Sequence, residues 1–154
     1  MNLSDYFNET GIVLDIPGDS KDQILTNLVE LLAKSVPVDK KVVVALLQER
    51  EKLSTTGIGF GVAIPHCKTA EVKELQIVIA RSQKNIDFNA LDGKSVRLFF
   101  LLIAPEKSSS EHLKALAKIA RLAKDREIRE KLLQADTPEE VVQFLIEKEG
   151  NFNQ

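Results

Sequence analysis

The segment from Ser54 to His66, STTGIGFGVAIPH, gathers most of the side chains in this chain that could do chemistry together. Three adjacent hydroxyls, Ser54, Thr55 and Thr56, are followed by Gly59 and Gly61 and then by His66, which Pro65 delivers from a short apolar run. Arg50 lies just upstream. A neutral imidazole beside hydroxyl donors, a guanidinium and uncrowded backbone supplies what a transferable phosphoryl group needs: a nucleophile, a counter-charge and hydrogen bonds. The segment points to a histidine that carries phosphate.

Each residue also has a plainer reading. His66 follows Val62-Ala63-Ile64 and is expected at the carboxyl end of a strand, where ligands gather in open α/β sheets. Otherwise it simply ends that strand and bonds a carbonyl. Pro65 fixes its own φ and biases Ile64 toward extended backbone, which would aim the imidazole reproducibly. The second histidine, His112, falls in the first turn of an expected helix. There the helix dipole disfavours a positive ring, and unpaired backbone N–H groups suit an anion. Taken alone, His112 reads as a surface residue near Glu111 and Lys114. Arg50 is either a solvated cation at a helix end or a guanidinium fork for phosphate oxygens. Ser54, Thr55 and Thr56 could each be turn chemistry, and Gly59 and Gly61 permit close approach to the backbone. Their concentration in one segment with His66 carries the phosphate reading.

The elements that must position these groups are readable from periodicity. Leu3 to Phe7 suggests a short helix and Ile12 to Ile16 a first strand. Ser20 opens a capping box with Gln23, and Ile24, Leu25, Leu28, Leu31 and Leu32 recur at helical spacing, which predicts a helix over 21–35. Asp39 caps a second helix through Val43, Val44, Leu46 and Leu47 to about Lys52. The 54–61 segment reads as a loop. Strands are predicted at 62–64, 75–80 and 96–104, with a small one at Ile86-Asp87-Phe88 and a turn at Asp92-Gly93. The 96–104 run is apolar on both alternating faces, as expected in the middle of a covered sheet. Ser108-Ser109-Ser110 begins a helix whose buried stripe is expected to be Leu113, Leu116, Ala117, Ala120 and Ala123. Asp125 opens a shorter helix, and Thr137-Pro138-Glu139-Glu140 starts a last one with Val141, Val142, Leu145 and Ile146 inside. The sum is an α/β single domain over 1–154: a three-layer sandwich, a central mixed sheet with helices on both faces.

Bulk properties narrow the chemistry. With 154 residues the chain can bury a core without disulfides or metal. A net charge of −2 and the absence of Trp argue against nucleic-acid partners. One cysteine, Cys67, excludes an intrachain disulfide and fits a cytoplasmic location. The amino terminus lacks the form of a signal peptide, and no apolar run spans a bilayer, so no membrane insertion is expected. Two histidines and one cysteine are too few for a zinc site, and there is no GxxxxGK[ST] loop. A Cys67–His112 nucleophile pair is conceivable, although nothing around Cys67 marks it as activated.

REKLSTTGIGFGVAIPH, from Arg50 to His66, resembles the signature of the fructose/mannitol/nitrogen-type IIA components of the bacterial phosphoenolpyruvate-dependent phosphotransferase system (PTS). The likeness continues through IDFNALDGKSVRLFFLLIAP (86–105) and EHLKALAKIARLA (111–123), nearly the whole chain. The resemblance implies a phosphorylation cycle. His66 matches the phosphoacceptor, expected to use Nε2; His112 matches the second active-site histidine and Arg50 the active-site arginine. Ser54, Thr55, Thr56 and the backbone near Gly59 and Gly61 would complete the phosphate pocket. The donor would be the phosphocarrier HPr or its nitrogen-branch counterpart, with no metal or organic cofactor. In a sugar-uptake relay His66 passes the group to a cysteine of a IIB domain, which is the leading expectation. The alternative is a nitrogen-type regulator whose phosphorylation state controls binding to target proteins. A chain expected to stand free of IIB and IIC segments permits both, with a slight tilt toward the regulator. A third reading is an interaction domain that is never phosphorylated. An accessible, shallow site with an apolar rim that includes Phe60 is expected.

Overall fold

The computed structural model describes residues 2–7, 9–108 and 110–152. Its elements in chain order are β1 (Ile12–Val13), α1 (Lys21–Ala33), α2 (Lys40–Leu53), β2 (Gly57–Gly59), β3 (Val62–Ala63), β4 (His66–Thr69), β5 (Gln76–Ile86), β6 (Val96–Pro105), α3 (Ser110–Lys124), α4 (Arg126–Gln134) and α5 (Pro138–Phe152). The two-faced apolar strand expected at 96–104 is β6, and the sheet is built around it. β5 pairs with β6 antiparallel on one side, and β3 and then β4 run parallel to it on the other. β1 lies parallel to β5 at one edge and β2 antiparallel to β3 at the other, so the sheet is mixed.

Side-chain alternation on β6 separates two cores. Leu98, Phe100 and Leu102 pack with α3, α4 and α5 residues such as Ile119, Leu132 and Leu145. Phe99, Leu101 and Ile103 pack with Ile24, Leu25 and Leu28 of α1 and Val43 and Leu47 of α2. The helices start where the sequence signals them. Ser20 Oγ accepts from Gln23 N–H, Asp39 from Lys41 and Val42, Asp125 from Ile128, and Thr137 from Glu140. Among the described residues no helix is long and apolar enough to cross a membrane.

Several local expectations need correction. β1 stops at Val13 because the Leu14 carbonyl turns to the Arg81 Nε–H (3.0 Å); pairing resumes only at Ile16, whose N–H meets the Arg81 carbonyl. The amino-terminal helix is one 3-10 turn, Leu3–Asp5, whose Leu3 and Ser4 N–H groups are taken by the Glu149 carboxylate. Ile86 is not in a separate strand: β5 runs unbroken to it, with a register shift after Arg81. The 54–61 segment is not all loop, since Gly57–Gly59 forms β2. Gly57 is needed there, because a Cβ would lie 2.9 Å from Ala90 Cα. Ser109 lies outside the described residues, and α3 begins at Ser110.

The stripe of α3 is rotated slightly from the expected one: Ala123 is buried and Leu116 and Ala120 pack against the core as expected, but the centre of the stripe lies elsewhere. His112, Ala115, Ile119 and Leu122 face inward, while Leu113 is 64% exposed and Ala117 is exposed. Both stripes obey helical spacing, and the sheet selects the one that buries Ile119 and Leu122. On α5 Val141 and Leu145 are buried as expected, whereas Ile146 is exposed.

Phe99 is fully buried and stacks against Phe88 with ring centroids 5.6 Å apart. Phe99→Ala is expected to cost about 3–5 kcal/mol, a large part of the roughly 5–15 kcal/mol that holds a domain together. Urea unfolding measures it; a loss below about 1 kcal/mol would mean that the sheet–α1/α2 layer repacks around the gap.

Candidate functional site

β3 and β4 are one strand with a break. Val62 lies opposite Leu98 on β6 and His66 opposite Leu102, so the register is kept across Ile64-Pro65. Pro65 has no N–H to give to a ladder, but its carbonyl accepts from Leu102 N–H at 3.0 Å. Ile64 turns the other way. Its N–H reaches the Thr56 carbonyl at 2.9 Å, and its own carbonyl lies 2.7 Å from His66 Nδ1. His66 therefore opens β4 instead of ending a strand, because pairing with β6 resumes immediately after the proline.

The Ile64 contact sets the tautomer. A carbonyl oxygen only accepts, so His66 Nδ1 carries the hydrogen, and a neutral ring then has its lone pair on Nε2. His66 is 9% exposed and lies on the α3 side of the sheet with Leu102. His112, 8% exposed, reaches the same place from the first turn of α3, and the two rings stand 5.5 Å apart at 48°. Burial lowers the proton affinity of both rings. For His66 the Ile64 bond and the Glu51 charge oppose that shift, while Arg50 adds to it. For His112, His66 and Lys68 lower it further. Both shifts favour the neutral form of the ring. Among the described residues His112 Nδ1 and Ser108 Oγ have no hydrogen-bond partner.

The β2–β3 hairpin folds the hydroxyl segment back beside His66. It does the reverse for the glycines: Gly59 and Gly61 flank the turn, at φ +102° and +76°. Four residues lie between Gly61 and His66, five steps of about 3.3 Å in extended backbone, so the turn lies about 16 Å away. Phe60 sits in the turn as well, exposed, with its ring 4.9 Å from the Arg129 guanidinium on α4. It is not at the rim of the histidine pair. The exposed leucines adjacent to site residues are Leu53, before Ser54, and Leu113, after His112.

The three hydroxyls have different fates. Thr55 Oγ1 donates to the Phe88 carbonyl (2.9 Å) and accepts from Gly57 N–H (3.0 Å). Thr56, buried, donates through Oγ1 to the Glu51 carboxylate. Ser54 is exposed, and its carbonyl and Oγ accept from Arg50 Nη1 at 3.0 and 3.4 Å. Arg50 and Ser54 thus form a polar pair, and the Arg50 charge acts on His66.

Cys67 follows His66 on the strand, so the pleat turns its thiol to the opposite face, among Val43, Leu47 and Ile103. Burial pushes that thiol up to about 12. The Cys67–His112 pairing is not assembled. Among the described residues no three His, Cys, Asp or Glu side chains group as metal ligands.

Sequence reasoning missed Glu51 and Lys21. The Glu51 carboxylate is 5% exposed, pairs with Lys21 Nζ at 3.1 Å and takes the Thr56 N–H. A signal was available: a glutamate in the last turn of a helix faces the negative end of the helix dipole and needs a partner elsewhere.

Residues 5–148 match the family described as "Phosphoenolpyruvate-dependent sugar phosphotransferase system, EIIA 2". A nitrogen regulatory protein of Bradyrhizobium diazoefficiens is 41% identical over 132 residues, covering 86% of each chain. A PTS fructose-specific EIIA component of Haloferax volcanii is 36% identical over 137 residues, covering 88% of this chain and 89% of its own. The crystal structure of nitrogen regulatory protein IIA-Ntr from Neisseria meningitidis superposes with a TM-score of 0.87 at 36% identity, over 93% of this chain and 98% of that one.

The histidine pair makes stability depend on pH. Folding lowers both proton affinities from the ordinary 6.5, so the unfolded chain binds more protons in acid. The contribution is complete above that value and is lost as pH falls through the lowered folded values. Melting temperature from pH 7.5 down to about 5 should fall more steeply for wild type than for a His66→Gln/His112→Gln double variant. Equal slopes would remove the histidines from the account.

Proposed function

The chain belongs to the EIIA 2 family of the phosphoenolpyruvate-dependent sugar phosphotransferase system, and from that premise we propose that it is a phosphocarrier of the nitrogen-regulatory kind, which takes a phosphoryl group on His66 Nε2 from HPr or a nitrogen-branch HPr-like donor. The observation that carries this reading is the His66 Nδ1 bond to the Ile64 carbonyl, which leaves Nε2 as the nucleophile. The Nε2 lone pair attacks phosphorus in line, and the P–N bond to the donor histidine breaks as that imidazole leaves with the electron pair. Such a transfer needs alignment and charge stabilisation more than acid–base work. Arg50 supplies the cation, and His112 supplies a ring N–H to a phosphoryl oxygen. Ser54 is the hydroxyl beside the pocket, while Thr55, Thr56 and the glycine turn shape the segment from behind.

Phosphorylation would place close to two negative charges between Leu53 and Leu113. Target proteins would then meet an apolar rim around either a neutral or an anionic centre, and the difference in charge would select between them. The nitrogen regulatory relatives favour this output over the sugar-uptake relay expected first from sequence. The relay, with transfer onward to a IIB cysteine, remains the second reading because a fructose-specific IIA is similar over nearly the same length. An interaction domain that is never phosphorylated fits poorly with a neutral, oriented imidazole beside Arg50.

The test is phosphoryl transfer from phosphoenolpyruvate through Enzyme I and each HPr type, read by intact mass. Wild type should gain one acid-labile phosphoryl and His66→Ala none. His112→Ala should load slowly, and Arg50→Ala about a hundredfold more slowly than wild type. Passage of the label to a IIB cysteine would favour the relay; a change in bound targets without such passage would favour the regulator. An unmodified wild type with every donor would overturn both.

A further inference from the structure

We propose that Glu51 is a positioning residue for the phosphoacceptor: its carboxylate holds Thr56 so that a run of hydrogen bonds through Ile64 fixes the orientation and tautomer of His66. The inference rests on the phosphocarrier reading of His66 and assigns a function to a residue that does not touch the ring.

The run begins outside the site. Lys21, at the start of α1, places Nζ 3.1 Å from Glu51 Oε2 and over the Phe88 ring at 4.7 Å. Glu51, in the last turn of α2, accepts the Thr56 N–H on both oxygens (3.2 and 3.0 Å) and the Thr56 hydroxyl as well. The next peptide unit is held at both ends: Gly57 N–H donates to Thr55 Oγ1 at 3.0 Å, and the Thr56 carbonyl accepts Ile64 N–H at 2.9 Å. Beyond Ile64 the prolyl peptide directs its carbonyl to His66 Nδ1 at 2.7 Å. Two helices are thereby connected to one imidazole hydrogen.

The arrangement opposes two ordinary preferences. A carboxylate at a helix carboxyl end meets the negative pole of the dipole, and burial of the charge adds to the cost. Three donors, from Lys21 and Thr56, offset it. A latch that served the loop alone would need only Thr55, whose bonds to the Phe88 carbonyl and the Gly57 N–H already close the turn. The Glu51 charge also acts on His66 against Arg50, so its loss changes the ring twice, through geometry and through field.

The experiment uses the full chain labelled with ¹⁵N, and long-range ¹H–¹⁵N correlation to read the His66 tautomer. Wild type should show the Nδ1–H form. Glu51→Gln keeps the side-chain shape but loses one acceptor oxygen and the ion pair. It should show a tautomer mixture, and loading at saturating phosphodonor should fall about tenfold with KM unchanged, the size typical of losing an orienting partner. Thr56→Ser, which retains hydroxyl and N–H, should keep the wild-type tautomer and rate. Lys21→Gln leaves Glu51 in place and should move the same readouts less, and it serves if Glu51→Gln does not fold. A folded Glu51→Gln protein with wild-type tautomer and rate, changed only in melting temperature, would overturn the proposal. If wild type accepts no phosphoryl from any donor, the phosphocarrier reading fails, and the tautomer comparison still decides whether Glu51 positions His66.

Discussion

At Pro65 the strand beside β6 gives up a donor but keeps its register, and the site depends on that combination. Strand alternation directs the polar groups of Ile64 away from β6, where its N–H pairs with Thr56 and its carbonyl turns onto His66. Because β4 resumes opposite Leu102, the imidazole is anchored to the deeply buried strand β6 within one residue of the irregularity. An uninterrupted strand would have spent the Ile64 carbonyl on the ladder and left the tautomer of His66 undecided. A longer interruption would have lost the alternation that puts His66 and Cys67 on opposite faces.

Opposing charges and burial act on the histidine pair, with the balance toward the neutral rings. Burial and Arg50 lower the proton affinity of His66, while the Ile64 carbonyl and Glu51 oppose them. The opposition has a purpose in the proposed chemistry. A ring driven too far toward neutrality by cations alone would have a less basic Nε2, whereas one beside an unopposed carboxylate would be protonated. In that proposed chemistry His112 needs no such counterweight, since its ring would have only to present an N–H. Its first-turn position on α3 keeps that ring next to His66 without a second loop.

The fold was largely legible because its signals are local. Ser20, Asp39, Asp125 and Thr137 each satisfy a helix start within a few residues of themselves, and the Val96–Pro105 run could only be a strand covered on both faces. His66 was legible from its segment, whereas His112 and Arg50 each had an equally plain surface reading; the fold sets the two imidazole rings 5.5 Å apart and lets the Arg50 charge act on His66. The face of α3 was only partly legible: Ala123 is inside as expected, but Leu113–Leu116–Ala120 and Ala115–Ile119–Leu122 have equally good helical spacing. Nor was the division of the glycine and hydroxyl segment. Proximity in sequence suggested one pocket, yet the hairpin places Gly59 and Gly61 at the opposite end from His66 and turns Thr55 and Thr56 toward Phe88 and Glu51.

By itself, then, the order of residues determined what is set by nearest neighbours: helix starts, the buried strand, the extended backbone before Pro65 and the presence of an imidazole, a guanidinium and hydroxyls in reach of one another. Tertiary structure decided which of those groups meet. Pairing with β6 chose the side of the sheet for His66, packing chose the inward face of α3 for His112, and the return of β2 along β3 selected Ser54 over Thr55 and Thr56 as the outward hydroxyl. The Lys21–Glu51–Thr56 cluster belongs wholly to that second category. Its members come from two helices and a loop, and a buried carboxylate becomes tolerable only once long-range folding has delivered its donors.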